Sequence, residues 1–573
     1  MDNEPEKRLR SKSPVLCQGP GGDWRLTTSE RKRILLNNIY GVDIDSQAVE
    51  VTKLSLLLKV LEGENEQTLS NQLKLFRERA LPDLGNNIKC GNSLIGPDFY
   101  DNQQLGFFED EERYRINVFD WEKEFPDIMK AGGFEVVIGN PPWGALFEER
   151  ELDYLRQRNR EIIVRMIDSF MYFVYQSNKI LKTDGFFGMI LPDVVLYQID
   201  NRKLREFILN CYKIDSILNM GNVFDKVTRP ACILVLEQGQ SAKHVVTVVD
   251  LSGMNKNDKQ VEIWNKKHYL NLYQANIRDV PGSLFVTSIT EYIIWTRVNK
   301  VPHLQLQELV DGDGIQRGVS PDLKEAFLVD SETAQKSHLE TQKLRAVLTG
   351  GRQVKRYFIE HPDLLLIYTR RDDNFRELPN ICEYIYQFRY KITCKEVKLS
   401  KHPLYALHRA REEKIFLKKE KLIGVITGDE IVVALDKDQT FATDGLYLFG
   451  IRNSANIKYL MGILNSKLFV FIYHLLTLEK GRVLAQVKPT ILEQLPIRTI
   501  NFSDPADRSR HDRMVVLVEQ MLSLQKKLAA TKTDHEKTNL QRQIDATDSQ
   551  IDRLVYDLYE LTEKEIGIVE NGG

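Results

Sequence analysis

The sequence predicts an α/β protein whose first half forms a doubly wound, mostly parallel sheet. Three short apolar strands end in turn or acidic residues: NNIYGVDID (Asn37–Asp45), FEVVIG (Phe134–Gly139) and FFGMILP (Phe186–Pro192). The segments between them carry apolar residues at helical intervals of three and four. Strands that alternate with helices favour parallel pairing, and such sheets bind ligands at the carboxyl ends of their strands.

The other elements of this half follow in order. After NNIYGVDID, one helical face is formed by Ala48, Val51, Ser55 and Leu58. Asp45 precedes this helix and is placed to cap it. Asn87–Gly96 (NIKCGNSLIG) predicts a further strand, and Tyr212–Glu237 predicts two strands around a loop. Before the turn KTDG, a second helical face consists of Phe170, Phe173, Val174, Ser177 and Leu181.

The regular alternation of strands and helices ends after residue 240, and shorter segments of mixed character follow. We therefore predict five regions: a polar N-terminal segment (1–30), a sheet domain (31–240), a connecting region (241–300), a second α/β domain (301–500) and a helical hairpin (510–573). In the first region, Cys17–Trp24 is predicted as a loop. The hairpin is predicted from two apolar stripes, which are Met514, Leu517, Met521, Leu524 and Leu528, and then Leu540, Ile544, Ile551, Leu554 and Leu558.

Composition excludes some classes of protein. The 573 residues are 42% hydrophobic with a net charge of −2, as in soluble globular chains, and this charge gives no overall attraction to nucleic acid. No signal peptide or membrane span is indicated, because the N-terminus lacks an apolar core and Tyr459–Leu476 is interrupted by polar residues. The six cysteines lack metal-binding spacing, so we predict a cytoplasmic protein with reduced thiols and no metal site.

The most informative stretch is VVIGNPPWGALF (Val136–Phe147), in which an apolar strand runs into two prolines. Prolines restrict the backbone and remove two N–H donors, so the carbonyls remain as fixed acceptors. Asn140 adds a side-chain acceptor, and Trp143 adds a flat apolar face. Together these groups suit a planar ring that carries an NH₂ group. A rigid turn is the alternative interpretation.

Alkylation of an exocyclic amine of a base needs such groups. The amine lone pair is delocalised into the ring, so two acceptors on its hydrogens help the nitrogen to become tetrahedral and nucleophilic. A base in a duplex must first leave the stack, which costs on the order of a few kcal/mol and is offset by stacking in the pocket. Trp143 is the natural stacking partner.

These segments resemble the γ-class adenine-N6 DNA methyltransferases, particularly the Type IIG enzymes that combine restriction and modification. The matching segments appear in the family's order: NNIYGVDIDSQAVEVTKLSL, CGNSLIG, FEVVIGNPPW, KILKTDGFFGMILP, VFDKVTRPACILVLE, VLTGGRQVKRY, YLMGILNSKLF and VKPTILEQLPI. The resemblance implies an incomplete Rossmann-like methyltransferase sheet in 31–240, a mixed α/β target-recognition DNA-binding domain in 301–500, and double-stranded DNA as a partner.

The resemblance also implies roles for the residues around the target base. Asn140 and the carbonyl of Pro141 accept hydrogen bonds from the target amine, within a catalytic motif that includes Pro142. Trp143 stacks on the flipped adenine, and Phe224 in NVFDK closes the other face of the base. A place in the hydrophobic core is the alternative for Phe224.

S-adenosylmethionine is the cofactor that the resemblance implies. Asp43 accepts from its ribose hydroxyls, a role that also follows from an acid at the end of the second strand of such a sheet. Asn92 lies where the family places an acid or an asparagine near the cofactor adenine. Capping of the following helix is the alternative role for Asp43.

One expected part of the family pattern is missing. The family begins its cofactor site with a strand that leads into Asp-Pro-Ala-Cys-Gly-Ser-Gly or a close variant, and nothing similar precedes GVDID here. We therefore expect unpaired strand edges, a catalytic domain truncated at its N-terminus and an incomplete cofactor pocket, which an upstream-encoded polypeptide would complete. Since the N-terminal nuclease of Type IIG enzymes has no counterpart either, we expect no DNA cleavage by this chain.

Basic and aromatic residues alternate in the middle of the second domain, as in surfaces that contact phosphates and base edges. The candidate DNA-binding residues are Arg352, Lys355, Arg356, Tyr357, Arg370 and Arg371. A solvated basic surface is the alternative.

Three functions remain open on the sequence alone. The first is a site-specific adenine-N6 DNA methyltransferase, part of a restriction-modification system. The second is a catalytically inactive DNA-binding fragment that needs an upstream polypeptide. The third is a methyltransferase for an exocyclic amine in RNA or for a glutamine amide.

Overall fold

The computed structural model describes residues 15–18, 22–62, 82–101, 110–163, 168–224, 229–241, 243–278, 284, 289–477 and 485–572. Contacts within the chain divide it into two units. The first unit contains residues 1–195, 200–246 and 251–261, and the second contains 196–199, 247–250 and 262–573. The terminal helical segment thus belongs to the same unit as the predicted second α/β domain.

The first unit contains eight strands and eight α-helices within the described ranges. Its strands are β1 Leu16–Gln18, β2 Trp24–Leu26, β3 Gly41–Asp43, β4 Ile88–Cys90, β5 Phe134–Gly139, β6 Leu181–Pro192, β7 Tyr212–Gly221 and β8 Ala231–Gln238. Its helices are α1 Thr28–Asn38, α2 Ser46–Leu61, α3 Asp110–Ile116, α4 Trp121–Glu124, α5 Pro126–Lys130, α6 Glu149–Arg158, α7 Ser169–Ile180 and α8 Arg202–Cys211.

The sheet of the first unit is mixed rather than mostly parallel. Strands β5 and β6 are parallel, as are β3 and β4, but β8 is antiparallel to both β6 and β7. The two strands predicted around a loop over Tyr212–Glu237 are β7 and β8, and they are antiparallel because the loop between them is too short for the crossover that parallel neighbours need. The four strands from β5 onward lie in the order β7-β8-β6-β5, while β3 and β4 form a separate pair.

The turn before β5 requires glycine. Gly133 has a φ of +112°, and a Cβ placed there would lie 2.4 Å from the carbonyl oxygen of Ile180. This turn therefore brings the chain close to the end of α7, just before β6 begins. Helix α7 ends at Ile180, and β6 already starts at Leu181, so the predicted turn KTDG lies within the strand. Asp184, with a φ of +61°, is the left-handed residue that bends the strand there.

The N-terminal segment contains a short antiparallel hairpin. Leu16 pairs with Leu26 and Gln18 with Trp24, so the predicted loop over Cys17–Trp24 was wrong at both of its ends. Strand pairing formed where the sequence suggested only Gly-Pro turn residues, because backbone hydrogen bonds need no particular side chain. Residues 1–14 and 19–21 of the predicted polar segment lie outside the described residues.

The remaining elements begin at residue 245. The strands are β9 Val245–Asp250, β10 Leu270–Tyr273, β11 His303–Gln305, β12 Gln316–Arg317, β13 Leu328–Val329, β14 Leu344–Leu348, β15 Val354–Lys355, β16 Phe358–Ile359, β17 Leu364–Ile367, β18 Lys421–Val425, β19 Val433–Asp436, β20 Phe441–Ala442, β21 Leu446–Phe449 and β22 Pro496–Arg498. The helices are α9 Lys256–Asn265, α10 Gln274–Arg278, α11 Ile289–Lys300, α12 Leu306–Leu309, α13 Lys324–Phe327, α14 Ser331–Lys336, α15 Pro379–Tyr386, α16 Lys395–Lys398, α17 Glu413–Phe416, α18 Ile457–Leu464, α19 Lys467–Thr477, α20 Pro489–Leu492, α21 Pro505–Ala530, α22 Asp534–Leu558 and α23 Glu563–Gly572.

The core of the second unit lies around two four-stranded sheets. Their strand orders are β12-β21-β18-β19 and β13-β17-β14-β20. Phe416 and Phe441 stack inside this core with ring centroids 4.4 Å apart. Among the described residues, no single helix is long and apolar enough to cross a membrane, although α18 and α19, bent by 63°, together meet that criterion of length and composition.

A buried charged cluster anchors helix α22 in the second unit. Arg356 donates a hydrogen bond of 2.7 Å to Asp548, and the backbone N–H of Lys467 donates one of 2.9 Å to Asp552. Burial and, to a smaller extent, the neighbouring Asp548 together raise the pKa of Asp552 to about 6, against the hydrogen bond from the Lys467 N–H and the charges of Arg356 and Lys467. The cluster therefore contains a carboxylate whose charged form is disfavoured by folding.

The Asp552→Asn variant is expected to stabilise the protein at neutral pH. Because the folded-state pKa lies above the unfolded value of 3.8, the folded state binds the proton more tightly, so stability falls as pH rises from 4 to 6. Asparagine removes this cost and keeps the acceptor for Lys467. We expect a gain of about 1–3 kcal/mol in the free energy of unfolding at pH 7.5 and none near pH 4. Urea denaturation at both pH values measures it.

The exposed Asp545 on the same helix provides the matched control. Asp545→Asn is expected to change stability by no more than about 0.5 kcal/mol at either pH. An equal effect of both variants at pH 7.5 would contradict the assignment to the buried carboxylate.

Candidate active site

The catalytic motif predicted from the sequence lies directly at the end of β5. Strand β5 pairs with β6 in the register Val137↔Phe187 and Gly139↔Met189, and the chain leaves the sheet at Asn140. The Asn140 side chain is exposed, whereas Pro141 is buried. Among the described residues, none forms a hydrogen bond with the Asn140 side chain, so its amide is available to a ligand.

The loop after the prolines is held by the N-terminus of α7. The Ser169 hydroxyl donates to the carbonyl of Pro142 and accepts from the N–H of Ala145 at 3.1 Å. The Asp168 carboxylate accepts from the N–H of Gly144 at 2.6 Å. Sequence reasoning missed Asp168 and Ser169. An Asp-Ser pair directly before an amphipathic helix is a capping pattern, and this signal could have identified them.

One cavity of about 750 Å³ brings together five of the seven residues predicted around the target base and the cofactor. Asp43, Asn92, Asn140, Pro141 and Pro142 all line it. Its other walls include six aromatic residues, which are Tyr40, Trp121, Phe125, Phe134, Phe147 and Phe173. The volume lies within the range of small-molecule sites, which are mostly apolar with a few convergent polar groups.

Asp43 and Asp45 have different roles at the start of α2. The Asp45 carboxylate accepts from the N–H of Gln47 at 2.8 Å and caps the helix, which confirms the predicted cap. The exposed Asp43 carboxylate accepts from the N–H of Asp45 at 2.9 Å through one oxygen. Asp43 thus lies at the carboxyl end of β3, where it lines the cavity.

Asn92 is buried at the turn that follows β4. Its side-chain oxygen accepts from the N–H of Leu94 at 3.1 Å, and its backbone N–H donates to the carbonyl of Asn117 at 2.7 Å. These bonds fix the side chain in the cavity wall. The side-chain NH₂ group is the part of Asn92 that remains for a ligand.

The two predicted stacking residues contact each other. The rings of Trp143 and Phe224 lie 6.0 Å apart at an angle of 73°, edge to face, so no parallel slot separates them in this structure. Neither is part of the cavity lining. The indole N–H of Trp143 is buried and has no hydrogen-bond partner in the described part of the chain.

The cavity fits S-adenosylmethionine in part. Asp43 offers a carboxylate for ribose hydroxyls, and Asn92 and the aromatic walls offer an amide and flat apolar surfaces for an adenine ring. Among the described residues that line the cavity, none belongs to a glycine-rich turn that would meet the amino acid end of the cofactor. In the described ranges, no cluster of His, Cys, Asp or Glu side chains suits a metal ion.

The six candidate DNA-binding residues have different environments. Arg352 is exposed, while Lys355 and Arg371 are exposed but paired with Glu360 at 2.6 Å and Glu396 at 2.9 Å. Arg370 is half-buried and pairs with Asp372 at 3.3 Å.

One of these candidates, Tyr357, is corrected by the structure. Tyr357 is 2% exposed, so its ring packs in the core and does not reach a partner molecule. Arg356 is half-buried and bonded to Asp548, and it also lines the basic groove of the second unit, so its role in DNA binding stays a prediction. The sequence showed alternating basic and aromatic residues, but the tight turn between β15 and β16 points Tyr357 inward, and that direction is set by tertiary packing.

A groove of about 1160 Å³ in the second unit is lined by several basic residues. Lys355 and His361 line one wall, and Lys537 and Arg542 of α22 line the other. Sequence reasoning missed Lys537 and Arg542, because both are ordinary solvent-side positions of a helix.

Two known protein families match separate parts of the chain. Residues 37–224 match the model of the Eco57I restriction-modification methylase, and residues 346–497 match the TaqI-like C-terminal specificity domain. The first match contains the cavity residues, and the second contains most of the core residues around the two four-stranded sheets of the second unit. The chain therefore contains an Eco57I-like restriction-modification methylase domain followed by a TaqI-like specificity domain.

Two individual relatives are a restriction enzyme and methyltransferase and a second methyltransferase. The chain is 23% identical to the type II restriction enzyme and methyltransferase RM.Eco57I of Escherichia coli, over 96% of this chain and 56% of that protein. It is 26% identical to the adenine-specific methyltransferase PglX of Streptomyces coelicolor, over 22% of this chain and 10% of that protein. The chain thus spans little more than half of the first relative and a small part of the second.

A solved structure shows the same fold. The chain superposes on the Type IIL restriction-modification enzyme MmeI, determined in complex with DNA, with a TM-score of 0.51 and 11% identity. The match covers 94% of this chain and 73% of that enzyme.

Proposed function

We propose that this chain is the modification part of a restriction-modification system and transfers a methyl group from S-adenosylmethionine to N6 of an adenine flipped out of duplex DNA. The observation that carries the proposal is the single cavity in which Asp43, Asn92 and the Asn140–Pro142 segment meet. The methylase and specificity domains support it, as does the resemblance to an adenine-specific relative.

The residues of the chain bind and orient the reacting amine. The Asn140 side-chain oxygen and the Pro141 carbonyl accept from the two amine hydrogens, which draws the nitrogen lone pair out of conjugation with the ring. When bound, S-adenosylmethionine supplies an electrophilic methyl carbon. Asp168 and Ser169 hold the loop in place, so that the acceptors do not reorganise during the reaction.

Trp143 and Phe224 supply apolar surface for the flipped base. Their edge-to-face contact leaves Phe224 exposed on one side, so rotation of this side chain would open a parallel face beside Trp143. Stacking offsets the cost of removing the base from the duplex.

We further propose that the basic groove of the second unit contacts DNA phosphates. Lys537 and Arg542 are exposed cations on one helix, and Lys355 faces them from the opposite wall. Phosphate contacts position the protein on the duplex without reading its sequence.

The triple variant Lys355→Ala, Lys537→Ala, Arg542→Ala is expected to bind DNA about 10- to 100-fold more weakly at low salt, with a salt slope reduced by up to about three. Fluorescence anisotropy over a salt series measures both quantities. Lys336, Lys401 and Lys419 are exposed lysines of the same unit outside the groove, and their triple alanine variant removes the same charge. A similar loss in both triple variants would contradict the groove as the contact.

A second function is favoured by the incomplete sheet. If β3 and β5 need a further strand between them, the chain alone binds DNA through its second unit and transfers methyl groups only with another polypeptide. DNA binding without methyl transfer by the purified chain is the expected result in that case.

The experiment that tests the proposal uses unmethylated duplex DNA and labelled S-adenosylmethionine, with and without the polypeptide encoded immediately upstream. Nucleoside analysis of the product identifies the methylated position. Label in N6-methyladenine supports the proposal. Label in cytosine or RNA, or no label under either condition, contradicts it.

A further inference from the structure

The loop that follows the prolines is joined to a second loop through one carboxylate. One oxygen of Asp168 accepts from the backbone N–H of Gly144 at 2.6 Å, and the other accepts from the guanidinium of Arg229 at 3.1 Å. The guanidinium is also close to the loop itself, since a Cβ placed at Gly144 would lie 3.7 Å from one of its nitrogens. Asp168 and Arg229 are 61 residues apart in the chain, so this contact joins distant segments of the first unit.

Asp168 does not perform the usual role of its position in the helix. It is the N-cap residue of α7, where an aspartate normally accepts from an N–H group of the first helical turn. Its side chain makes no such capping bond. The carboxylate is turned instead toward Gly144 and Arg229, so these two contacts replace the cap.

The backbone at Arg229 is fixed independently of this ion pair. Pro230 follows it and restricts it to extended conformations. The carbonyl of Pro230 accepts from the N–H of Asp193 at 3.0 Å, and β8 begins at the next residue, Ala231, paired with Pro192 of β6. The Arg229 side chain therefore reaches Asp168 from the end of a paired strand.

The connection between β7 and β8 also carries Phe224, and its other end is anchored as well. Lys259 of α9 is buried, and its ammonium donates to the carbonyl of Met220 at 2.6 Å. Phe224 lies in the chain between this anchor and Arg229, and its ring meets that of Trp143 edge to face. Arg229 thus belongs to the segment of one aromatic residue and is bonded, through Asp168, to the loop of the other.

The ion pair is too exposed to act mainly on stability. The side chains of Arg229 and Asp168 are 57% and 25% exposed. Pairs with such exposure contribute little to the free energy of unfolding, because water and salt screen them. An aspartate that leaves its capping role for this pair gains little stability in return, so the effect of the contact is on the position of the loop.

We propose that Arg229 is a positioning residue for methyl transfer, which acts through Asp168 on the backbone of the loop beside the target base. This role rests on the function proposed above, because it assumes that the base lies between Trp143 and Phe224. Arg229 keeps the carboxylate turned toward the N–H of Gly144. Without Arg229, the carboxylate is free to rotate back to the vacant cap of α7 and to release that N–H.

The loop carries the groups whose geometry matters for the reaction. The acceptors at Asn140 and Pro141 directly precede Trp143 and Gly144, so movement at Gly144 displaces them. Displacement of about 1 Å in a reacting group can reduce a rate by about 100-fold. Arg229 itself does not touch the amine in this proposal, and its effect on the rate passes through Asp168.

The test compares the full chain with its variants Arg229→Met and Arg229→Lys. In Arg229→Met we expect hydrogen exchange in the peptide that contains Gly144 to be about tenfold faster, measured by mass spectrometry without DNA or cofactor. We also expect the single-turnover rate of methyl transfer to fall by about 10- to 100-fold, with DNA affinity changed by less than about threefold. Arg229→Lys keeps a cationic donor and should recover most of both losses.

Arg202→Met is the matched control, because Arg202 is an arginine of the same unit that is 59% exposed and pairs with Glu206 at 3.5 Å. It should leave both the exchange and the rate unchanged, and an equal effect in this variant would contradict the proposal.

Three other results would overturn this role of Arg229. Unchanged exchange in Arg229→Met would show that the ion pair does not hold the loop. Faster exchange with an unchanged rate of transfer would make the contact structural only. Weaker DNA binding, with a salt slope reduced by about one and unchanged exchange, would assign Arg229 to a DNA phosphate instead.

Failure of the proposed function gives a different result. In that case the unmodified chain transfers no methyl group under any condition, whatever the exchange at Gly144. The exchange measurement then still shows whether Arg229 holds the loop, while its role in methyl transfer falls together with the proposed function.

Discussion

The Asn140→Ala variant is expected to lose about 100- to 1000-fold in the rate of methyl transfer, with little change in DNA binding. In the proposed mechanism, Asn140 contributes one of the two acceptors for the target amine, and this interaction grows as the nitrogen becomes tetrahedral. The side chain is exposed and has no hydrogen-bond partner in the described part of the chain, so its removal leaves the fold intact. Single-turnover transfer of labelled methyl under the conditions that give activity measures the rate.

Two further variants separate this role from others. Asn140→Asp keeps an acceptor at the same position and should retain more activity than Asn140→Ala. Asn37→Ala removes another exposed asparagine of the first unit, at the end of α1, and should leave the rate unchanged. A rate for Asn140→Ala within about threefold of the unmodified chain would contradict transition-state stabilisation by this residue, because loss of one such hydrogen bond costs far more.

The Asp436→Ala variant is expected to destabilise the second unit by about 3–5 kcal/mol. Lys421 and Asp436 face each other across β18 and β19, and their side chains are 0% and 2% exposed. Asp436 also accepts from the backbone N–H and the hydroxyl of Thr440. Burial already lowers the pKa of Lys421, and loss of its partner would leave an uncompensated charge in the core. Urea denaturation and hydrogen exchange in β18 and β19 measure the loss.

The neighbouring pair Lys437–Glu420 is the matched control, since it is exposed and 2.7 Å apart. Glu420→Ala should cost no more than about 1 kcal/mol. The charge-free double variant Lys421→Met, Asp436→Leu should recover most of the loss, because the desolvation cost of both ions disappears. An Asp436→Ala cost equal to that of Glu420→Ala would contradict a buried pair.

Much of the first unit followed from local pattern. The strand at Phe134–Gly139, the cap at Asp45 and the two strands after Tyr212 depend on runs of apolar residues and on capping side chains that are adjacent in the sequence. Such signals act over a few residues, so no knowledge of distant contacts is needed. The antiparallel direction of β8 was missed because strand direction depends on which neighbour the chain reaches.

The candidate site also contains some residues that the local sequence indicated and others that depend on distant contacts. Asn140 and Pro141 were recognisable because two prolines after an apolar strand are an unusual local feature. The roles of Asp168 and Ser169 were not, since they act through hydrogen bonds to a loop 24 or more residues away. The inward position of Tyr357 was also missed, because residues in a basic and aromatic run carry no information about which of them the core will bury.

By itself, the sequence determined the main strands and helices around the motif at the end of β5 and the resemblance to a restriction-modification methylase followed by a specificity domain, because these depend on residue type and spacing. Only the tertiary structure decided that Asp43, Asn92 and Asn140 share one cavity and that Arg229 meets Asp168 beside the loop after the prolines. It also decided that Lys537 and Arg542 meet Lys355 in a groove. These features join residues far apart in the chain, and their positions follow from how sheets and helices pack rather than from any local pattern.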